Sequence, residues 1–491
     1  MGNQNDLERN GDRTERSRNV LLIVSDQHNK RMTGHGGHPL SRTPALDALA
    51  ERGTVFDSAY CTSPICVPSR ASMATGRYVH DLGTWDNAAP YTGSIRSWGH
   101  ALVESGYRVT TVGKLHYRDS GDDTGFPDQR LAMHVHEGGD LRGVSLRPEG
   151  RVPDGGGGLQ NILNVGSGES QYTRFDRAVA RTASDFLRYE TRDGPWALMV
   201  SFVSPHFPLI APEEFFEAID PNDIPLPAID SGAWDHPAVE TFRRAFGLSR
   251  ALTDDEQRAA LHAYLALCSF LDSQVGEVLS ALEASGQSEE TLVVYTSDHG
   301  ESAGAHGLWF KHLMNEESVG VPFFVAGPGV AAGEVVDTPI SHIDLFPTFL
   351  DWAGVTDESH EPAPGLSLLD MDRLASAERP VMAEYHANGS ASASFMLRHG
   401  RYKYIEYVDG APQLFDLIVD PDETVDLAND DRHSAALVLC AQLLRAICDP
   451  VEVDARAKAD QARRVAEVGG TNAAQAITVP YTPVPESLDL T

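Results

Sequence analysis

Asn19-Val20-Leu21-Leu22-Ile23-Val24-Ser25-Asp26 is the stretch from which the fold is read. Its apolar run does not alternate with polar residues, which fits a strand buried on both faces, and it stops at a Ser-Asp pair. Other runs of the same kind follow. Tyr107 to Val112 precedes Gly113-Lys114-Leu115-His116, Trp196 to Val203 precedes Ser204-Pro205-His206, and Thr291 to Thr296 precedes Ser297-Asp298-His299-Gly300. Runs this far apart, with helical patterns between them, predict an α/β fold: a large mixed, mostly parallel sheet sandwiched by helices. Ligands bind beyond the carboxyl ends of such strands. One polar residue after a strand is an ordinary loop residue. Chemically capable residues after all of these runs mark a site.

Working outward, Thr43-Pro44 predicts a helix with Thr as N-cap that closes at Gly53. Pro68 predicts another, running through Met73 to near Gly76, which places residue 66 at a helix N-terminus where negative charge is favoured. Asp254 to Ala284 reads as one long helix or two, and Ser341 to Trp352 as an amphipathic helix ending at Gly354. Residues 118–174 are rich in Gly, Asp and Arg, with an unbroken glycine run from Gly155 to Gly158. They predict a long irregular insertion, a candidate lid or specificity loop. From about residue 370 the pattern changes. Val381 to Tyr385, Ser394 to Leu397, Tyr402 to Tyr407 and Gln413 to Leu417 predict a short antiparallel sheet, followed by helices over Asp431–Ile447 and Val453–Val468. The expected organisation is a disordered arm (1–18), a catalytic α/β domain (19–370) and a smaller C-terminal α+β subdomain (371–491) that ends in a Pro-rich extended tail.

The chain has 491 residues and a formal charge of −32. With no long basic run, it is a poor match for nucleic acid or an anionic membrane. The cysteines, Cys61, Cys66, Cys268, Cys440 and Cys448, are odd in number and sparse, so no disulfide framework is expected. Met1 to Arg18 is polar, with no apolar core of a signal peptide. A cytoplasmic protein is expected, with a homo-oligomer left open.

Cys66-Val67-Pro68-Ser69-Arg70 sits between the first two runs. Its bland reading is a buried Cys before a Pro-started helix. Asp26, Asp298 and His299 offer oxygen and nitrogen donors at two strand ends, and Gln27 adds an amide oxygen. Hard divalent cations take such carboxylates, and Mn²⁺ tolerates an imidazole, although paired acids at strand ends also cap helices.

The order of these blocks resembles the type I sulfatase family of the alkaline phosphatase superfamily. The resemblance runs from Val20 to about Leu427. It rests on Ser25-Asp26-Gln27, Cys66 to Arg70 with Gly76-Arg77 after it, Gly113 to His116, Pro205-His206, and Ser297 to Gly300 with Gly307 and Lys311 behind. Tyr402-Lys403-Tyr404, Leu414-Phe415-Asp416 and Asp420-Pro421 look like the family's C-terminal sheet. The resemblance implies that a formylglycine-generating enzyme converts Cys66 to formylglycine, which serves as nucleophile and metal ligand. It implies that Asp26, Gln27, Asp298 and His299 complete the shell of one divalent metal ion, Ca²⁺ first, with Mg²⁺ or Mn²⁺ as alternatives. Arg70 would stabilise the ionised diol, and Lys114 and Lys311 would hold the sulfate oxygens. His206 would serve the leaving oxygen, and His116 would take the proton that lets sulfate depart. The substrate implied is a small-molecule sulfate ester.

Asp26-Gln27 and Asp298-His299 stand where many sulfatases have two adjacent acids and Asp-Asn. Both departures resemble the branch of choline sulfatases and phosphonate monoester hydrolases, as does Asn87, a candidate substrate contact. The Lys114-x-His116 pair favours a sulfate ester over a phosphonate or phosphodiester. Choline sulfate would need an ammonium site, for which Trp85, Tyr91, Trp98 and Trp234 are the aromatic candidates. An inactive binding protein on the same fold would have lost a catalytic block, and none is missing.

Overall fold

The computed structural model describes residues 18–136, 139, 146–147, 157–227, 232–357, 364–476 and 482–485. Its centre is an eight-stranded sheet. We number its strands β1 (Asn19–Asp26), β2 (Thr54–Phe56), β3 (Arg108–Lys114), β4 (Asp128–Met133), β5 (Trp196–Pro205), β6 (Thr291–Ser297), β7 (Phe323–Ala326) and β8 (Glu334–Val336). Their order across the sheet is β8-β2-β7-β6-β1-β5-β3-β4. β1 pairs in parallel with β5 and β6, and β3 with β5 and β4. Only β7 runs antiparallel, against both β6 and β2. The sheet is therefore mixed and mostly parallel, as expected from the unbroken apolar runs.

Helices cover both faces. Val20, Leu22 and Val24 of β1 enter one apolar cluster with residues of helices Cys66–Thr75, Trp98–Glu104 and Leu345–Ala353. Leu21 and Ile23 enter another with helices Pro44–Glu51 and Gln171–Tyr189 and the second half of Asp254–Ser285. All of these β1 side chains are fully buried, each contributing about 1.5–3 kcal/mol from burial. The helix Asp254–Ser285 is a single 32-residue element, started by a Thr253–Glu256 capping box and ended by Gly286 in the left-handed region. It is long and apolar enough to cross a membrane, but most of its apolar stretch is buried in the protein.

Several local expectations are corrected. The helix expected from Pro68 spans Cys66–Thr75, starting two residues earlier than that proline suggests. Proline is tolerated inside the first turn because its missing N–H is one of those the helix leaves unpaired there. Thr43 occupies the N-cap position but makes no cap bond. Its hydroxyl instead accepts from the Gly34 N–H (2.8 Å) and donates to Asp47 (3.2 Å). The segment 341–352 is not one helix, since Ile340–Ser341 is a short strand, His342–Asp344 a 3₁₀ turn and Leu345–Ala353 the helix.

The 118–174 stretch is not irregular throughout. Asp128–Met133 is the edge strand β4, Gly158–Leu163 a short helix and Val165–Ser167 a two-stranded pairing partner of Leu209–Ala211. Parts of it, the glycines 155 and 156 included, lie outside the described residues, as does the N-terminal arm through residue 17.

A four-stranded antiparallel meander follows: β9 (Val381–Tyr385), β10 (Ser394–His399), β11 (Tyr402–Tyr407) and β12 (Gln413–Asp416). Phe395, Leu397, Tyr404 and Leu414 pack against Cys440 and Leu444 of helix Ser434–Ile447 and against Tyr78, Val79 and Ile343.

Candidate active site

Every strand end singled out in the sequence converges on one buried point. β1 delivers Asp26 and Gln27, β3 delivers Lys114 and His116, β5 delivers His206, and β6 delivers Asp298 and His299. The helix starting at Cys66 brings the sulfur to the same place.

Asp26, Cys66, Asp298 and His299 each offer a donor atom, all within 4.8 Å of one another and all buried. His299 Nδ1 donates to the Gly300 carbonyl (3.0 Å), so in the neutral ring Nε2 carries the lone pair. That lone pair lies 3.3 Å from Cys66 Sγ, 3.5 Å from Asp298 Oδ1 and 3.8 Å from Asp26 Oδ1. Acceptors crowded this way repel one another, and a cation among them removes the conflict. The donor set fits a hard divalent metal with one imidazole ligand. Gln27 lies beside this group, its Nε2 donating to Glu301 and its Oε1 accepting from Lys311 Nζ.

Positive side chains enclose the acids. Arg70 donates from Nε to Asp298 Oδ2 (2.8 Å), from Nη2 to Asp26 Oδ2 (3.2 Å), and from Nη1 to the Lys114 carbonyl and Ser201 Oγ (both 2.8 Å). Lys114 Nζ is 2.5 Å from Asp26 Oδ2. Lys311 Nζ is 3.8 Å from Cys66 Sγ and lies over the Phe207 ring. Burial alone would raise the Asp26 carboxyl. Lys114, helped by His206, Arg70 and Lys311, overrides that and holds it well below its usual range. Asp298 goes the other way, pushed up by burial and by the neighbouring Asp26 charge.

Burial and Asp26 push the Cys66 thiol up to about 11, against Lys311 and Lys114. It is therefore neutral at neutral pH and a weak nucleophile as it stands. Burial, then Lys114, lowers His116 well below its ordinary value, and burial, then Lys311, does the same to His206 and His299.

Backbone geometry explains the glycines of the motifs. A Cβ on Gly113 would lie 2.1 Å from the Ser201 carbonyl oxygen, and Gly113 has φ 104°. A Cβ on Gly300 would lie 2.0 Å from the Glu317 carbonyl oxygen. Gln27, His116, Phe310 and His312 all hold positive φ without being glycine (67°, 55°, 69° and 87°), and the last two flank Lys311. Such residues cost about 1–3 kcal/mol each and persist where surrounding structure over-determines them.

The sequence missed several groups that hold the site. Asp176 accepts from the N–H of Val203 (2.8 Å) and Ser204 (2.7 Å) and so sets the turn that carries His206. Ser69 donates to the Asp298 carbonyl (2.5 Å), Ser201 binds Arg70, and Glu301 orients Gln27. The Met133 carbonyl at the end of edge strand β4 accepts from the Leu115 and His116 N–H (3.0 and 2.9 Å). None of these leaves a local signature, because each acts across a long sequence gap.

Asn87 reaches the site through the helix that starts at Cys66: its Oδ1 accepts from the Val67 N–H (3.2 Å). The aromatic candidates are not brought together. Trp98 packs on Phe126 and Phe349, Tyr91 on Tyr117, and Trp234 on Phe415. Trp85 already carries the Arg456 guanidinium 5.6 Å from its ring centroid. Large rings of this kind fill core space first, and these are all almost fully buried.

Residues 18–355 match the family model described as Sulfatase, and residues 304–448 match the model for the C-terminal part of N-sulphoglucosamine sulphohydrolase. The chain belongs to the sulfatase family. It is 32% identical over 465 residues to a choline-sulfatase of Rhizobium meliloti (strain 1021), covering 91% of this chain and 90% of that protein. It is 31% identical over 442 residues to arylsulfatase K of Mus musculus, covering 84% and 76%. Among solved structures, the phosphonate monoester hydrolase SpPMH from Silicibacter pomeroyi superposes with a TM-score of 0.70 at 25% identity, covering 87% of this chain and 95% of that one.

Proposed function

We propose that the protein hydrolyses a sulfate ester of a small molecule to an alcohol and inorganic sulfate, using formylglycine made from Cys66. The observation that carries this reading is the convergence on Cys66 of two carboxylates, an imidazole lone pair and three cations, Arg70, Lys114 and Lys311. An anionic ester needs such fixed positive charge in a protein of net charge −32.

Asp26, Asp298 and His299, with Gln27 and residue 66, would hold one divalent ion, Ca²⁺ first. When bound, that ion would supply the charge that keeps a hydroxyl ionised near neutral pH and neutralises sulfate oxygens. The hydrated aldehyde would supply two hydroxyls on one carbon, one to bond to sulfur and one to drive sulfate off afterwards. Arg70 lies against both carboxylates and fixes them. Lys114 and Lys311 would take the sulfate oxygens. His206 donates Nδ1–H to the Phe207 carbonyl (2.7 Å), which leaves Nε2 as the nitrogen for the proton that passes to the leaving oxygen. His116 would accept the proton of the second hydroxyl. Asn87 supports the N-terminus of the helix that starts at Cys66 and would contact the ester there. A cytoplasmic enzyme matured by a formylglycine-generating enzyme completes the reading.

The test compares kcat/KM for an aryl sulfate with that for the matching aryl phosphonate monoester, on protein whose Cys66 conversion is confirmed by peptide mass. A ratio well above one supports the sulfatase reading. A ratio well below one transfers the site to phosphonate or phosphodiester hydrolysis.

A further inference from the structure

The Pro-rich end of the chain does not merely trail away. Thr482 Oγ1 lies 2.9 Å from His116 Nε2, across 366 residues of sequence. The Thr482 carbonyl accepts from the Tyr172 hydroxyl (2.8 Å). Val484 packs on the apolar cluster that includes Met133, Tyr172 and Phe175. Pro483 lies between these contacts and Pro485 follows Val484, and each ring restricts the backbone, which lowers the entropy lost on docking. His116 and Thr482 are 4% and 9% exposed, so this contact sits inside the protein.

We propose that Thr482 is a positioning residue for His116, fixing the orientation of the imidazole ring that acts in the second half of the reaction. His116 has two ring nitrogens with unequal surroundings. Nε2 is engaged by Thr482, and Nδ1 is buried with no hydrogen-bond partner among the described residues. A threonine hydroxyl can donate or accept, so it holds Nε2 in either neutral tautomer and ties down the plane of the ring. The backbone at His116 is held at φ 55° by the Met133 carbonyl, and the hydroxyl of Thr482 fixes what the backbone leaves free, the rotation of the ring. The tail thereby becomes part of the site, and Tyr172, on helix Gln171–Tyr189, is the post to which it is tied.

The proposal rests on the sulfatase reading for the step concerned. In that step His116 removes the proton of the remaining hydroxyl, the C=O bond reforms, and the C–O bond to sulfate breaks.

The experiment uses full-length, Cys66-converted enzyme and 4-nitrophenyl sulfate. Thr482→Val keeps the shape and removes the hydroxyl. It is expected to lower steady-state kcat by about tenfold, as loss of an orienting partner does, while nitrophenol release in the first turnover is unchanged. A burst then appears, and sulfated enzyme accumulates by intact mass. Thr482→Ser restores single-phase turnover. Tyr172→Phe, which removes the hydroxyl that holds the Thr482 carbonyl, gives the same burst in weaker form and serves if Thr482→Val does not fold. An unchanged kcat, or a first turnover slowed as much as the steady state, overturns the proposal. Histidine ¹⁵N shifts, assigned with His116→Gln, provide a readout independent of turnover. The His116 nitrogens move in Thr482→Val and not in Thr482→Ser, and identical shifts in all three proteins overturn the proposal. If the wild type cleaves no sulfate ester, the sulfatase reading fails by itself, and the nitrogen shifts still decide whether Thr482 sets His116.

Discussion

Two regions of this molecule bury ionised side chains, and they do so in opposite ways. At the carboxyl end of the main sheet, Asp26, Asp298 and the His299 lone pair face one another around Cys66 with acceptor against acceptor. Where the main domain meets the antiparallel meander, each charge has its counterpart. Lys403 Nζ lies 2.7 Å from Glu423 Oε1 and 3.0 Å from Glu316 Oε1, and Glu316 Oε2 lies 3.1 Å from Lys30 Nζ. Nearby, Glu384 sits between His80 Nδ1 and His386 Nε2 at 2.8 Å from each. Burial would raise the Glu316 carboxyl, but Lys403 and Lys30 hold it far below its usual range. The second region has lysines among its acids, and of its ionised residues Glu423 alone holds positive φ (51°). The first gathers more of this strain, with positive φ at Gln27, His116, Phe310 and His312. Both regions pair their acids with buried cations, Arg70 and Lys114 in the first and Lys403 and Lys30 in the second, and what separates them is that in the first the inward donor atoms of Asp26, Asp298 and His299 face one another with no cation of the protein between them.

The sharpest way to break this contrast is to delete the proposed nucleophile. Cys66→Ala is expected to abolish nearly all turnover while leaving the thermal midpoint unchanged or raised. The polar contacts of the sulfur, at 3.3 to 3.8 Å, are weak ones, so little cohesion is lost with them. Steady-state rates and a melting curve on the same preparation check both halves. Wild-type-like rates would sink the assignment of Cys66. A large drop in midpoint would mean that the sheet-end cluster is structural after all.

The converse experiment sits in the meander. Lys403→Met leaves Glu316 and Glu423 buried without their shared cation. Breaking such a pair from one side costs about 3–5 kcal/mol, so denaturant unfolding should show a loss of that order. kcat/KM per folded molecule should not change. An activity loss without destabilisation would show that the two regions are coupled.

How much of this was legible beforehand follows from the range of the interactions. The strands that end in Asp26, Lys114, His206 and Asp298 announce themselves, because a strand buried on both faces must be apolar along its whole length. Edge strand β4 does not. Asp128-Gln129-Arg130 is polar and half-buried, as a sheet edge tolerates, and it read as loop. The nucleophile, its arginine and the metal-ligand candidates were readable as blocks. The groups that aim them were not, because Asp176, Ser201, Glu301 and Thr482 are ordinary polar residues until folding sets them against partners far away in sequence. The aromatic residues offered for an ammonium site failed for a related reason. Composition shows that rings exist, whereas packing decides which of them face solvent.

The smallest effect tests whether the completed region is held by charge or by neutral hydrogen bonds. Burial alone would lower the pKa of His80. Glu384, by charge and hydrogen bond, overrides it and raises the value, with Asp81 helping and Arg456 opposing. The folded protein therefore keeps the His80 proton at pH values where the unfolded chain has lost it. Between the ordinary histidine value of about 6.5 and the raised one, the native state binds more protons, so stability falls as pH rises. The contribution is complete below about pH 6.5 on this limb and disappears as pH passes the raised value. The stability difference between wild type and His80→Gln, from denaturant unfolding at pH 6 and pH 9, should accordingly be larger at pH 6. A difference that does not change with pH would mean that His80 is neutral in the native state. The contrast between the two regions would then rest on the Lys403 cluster alone.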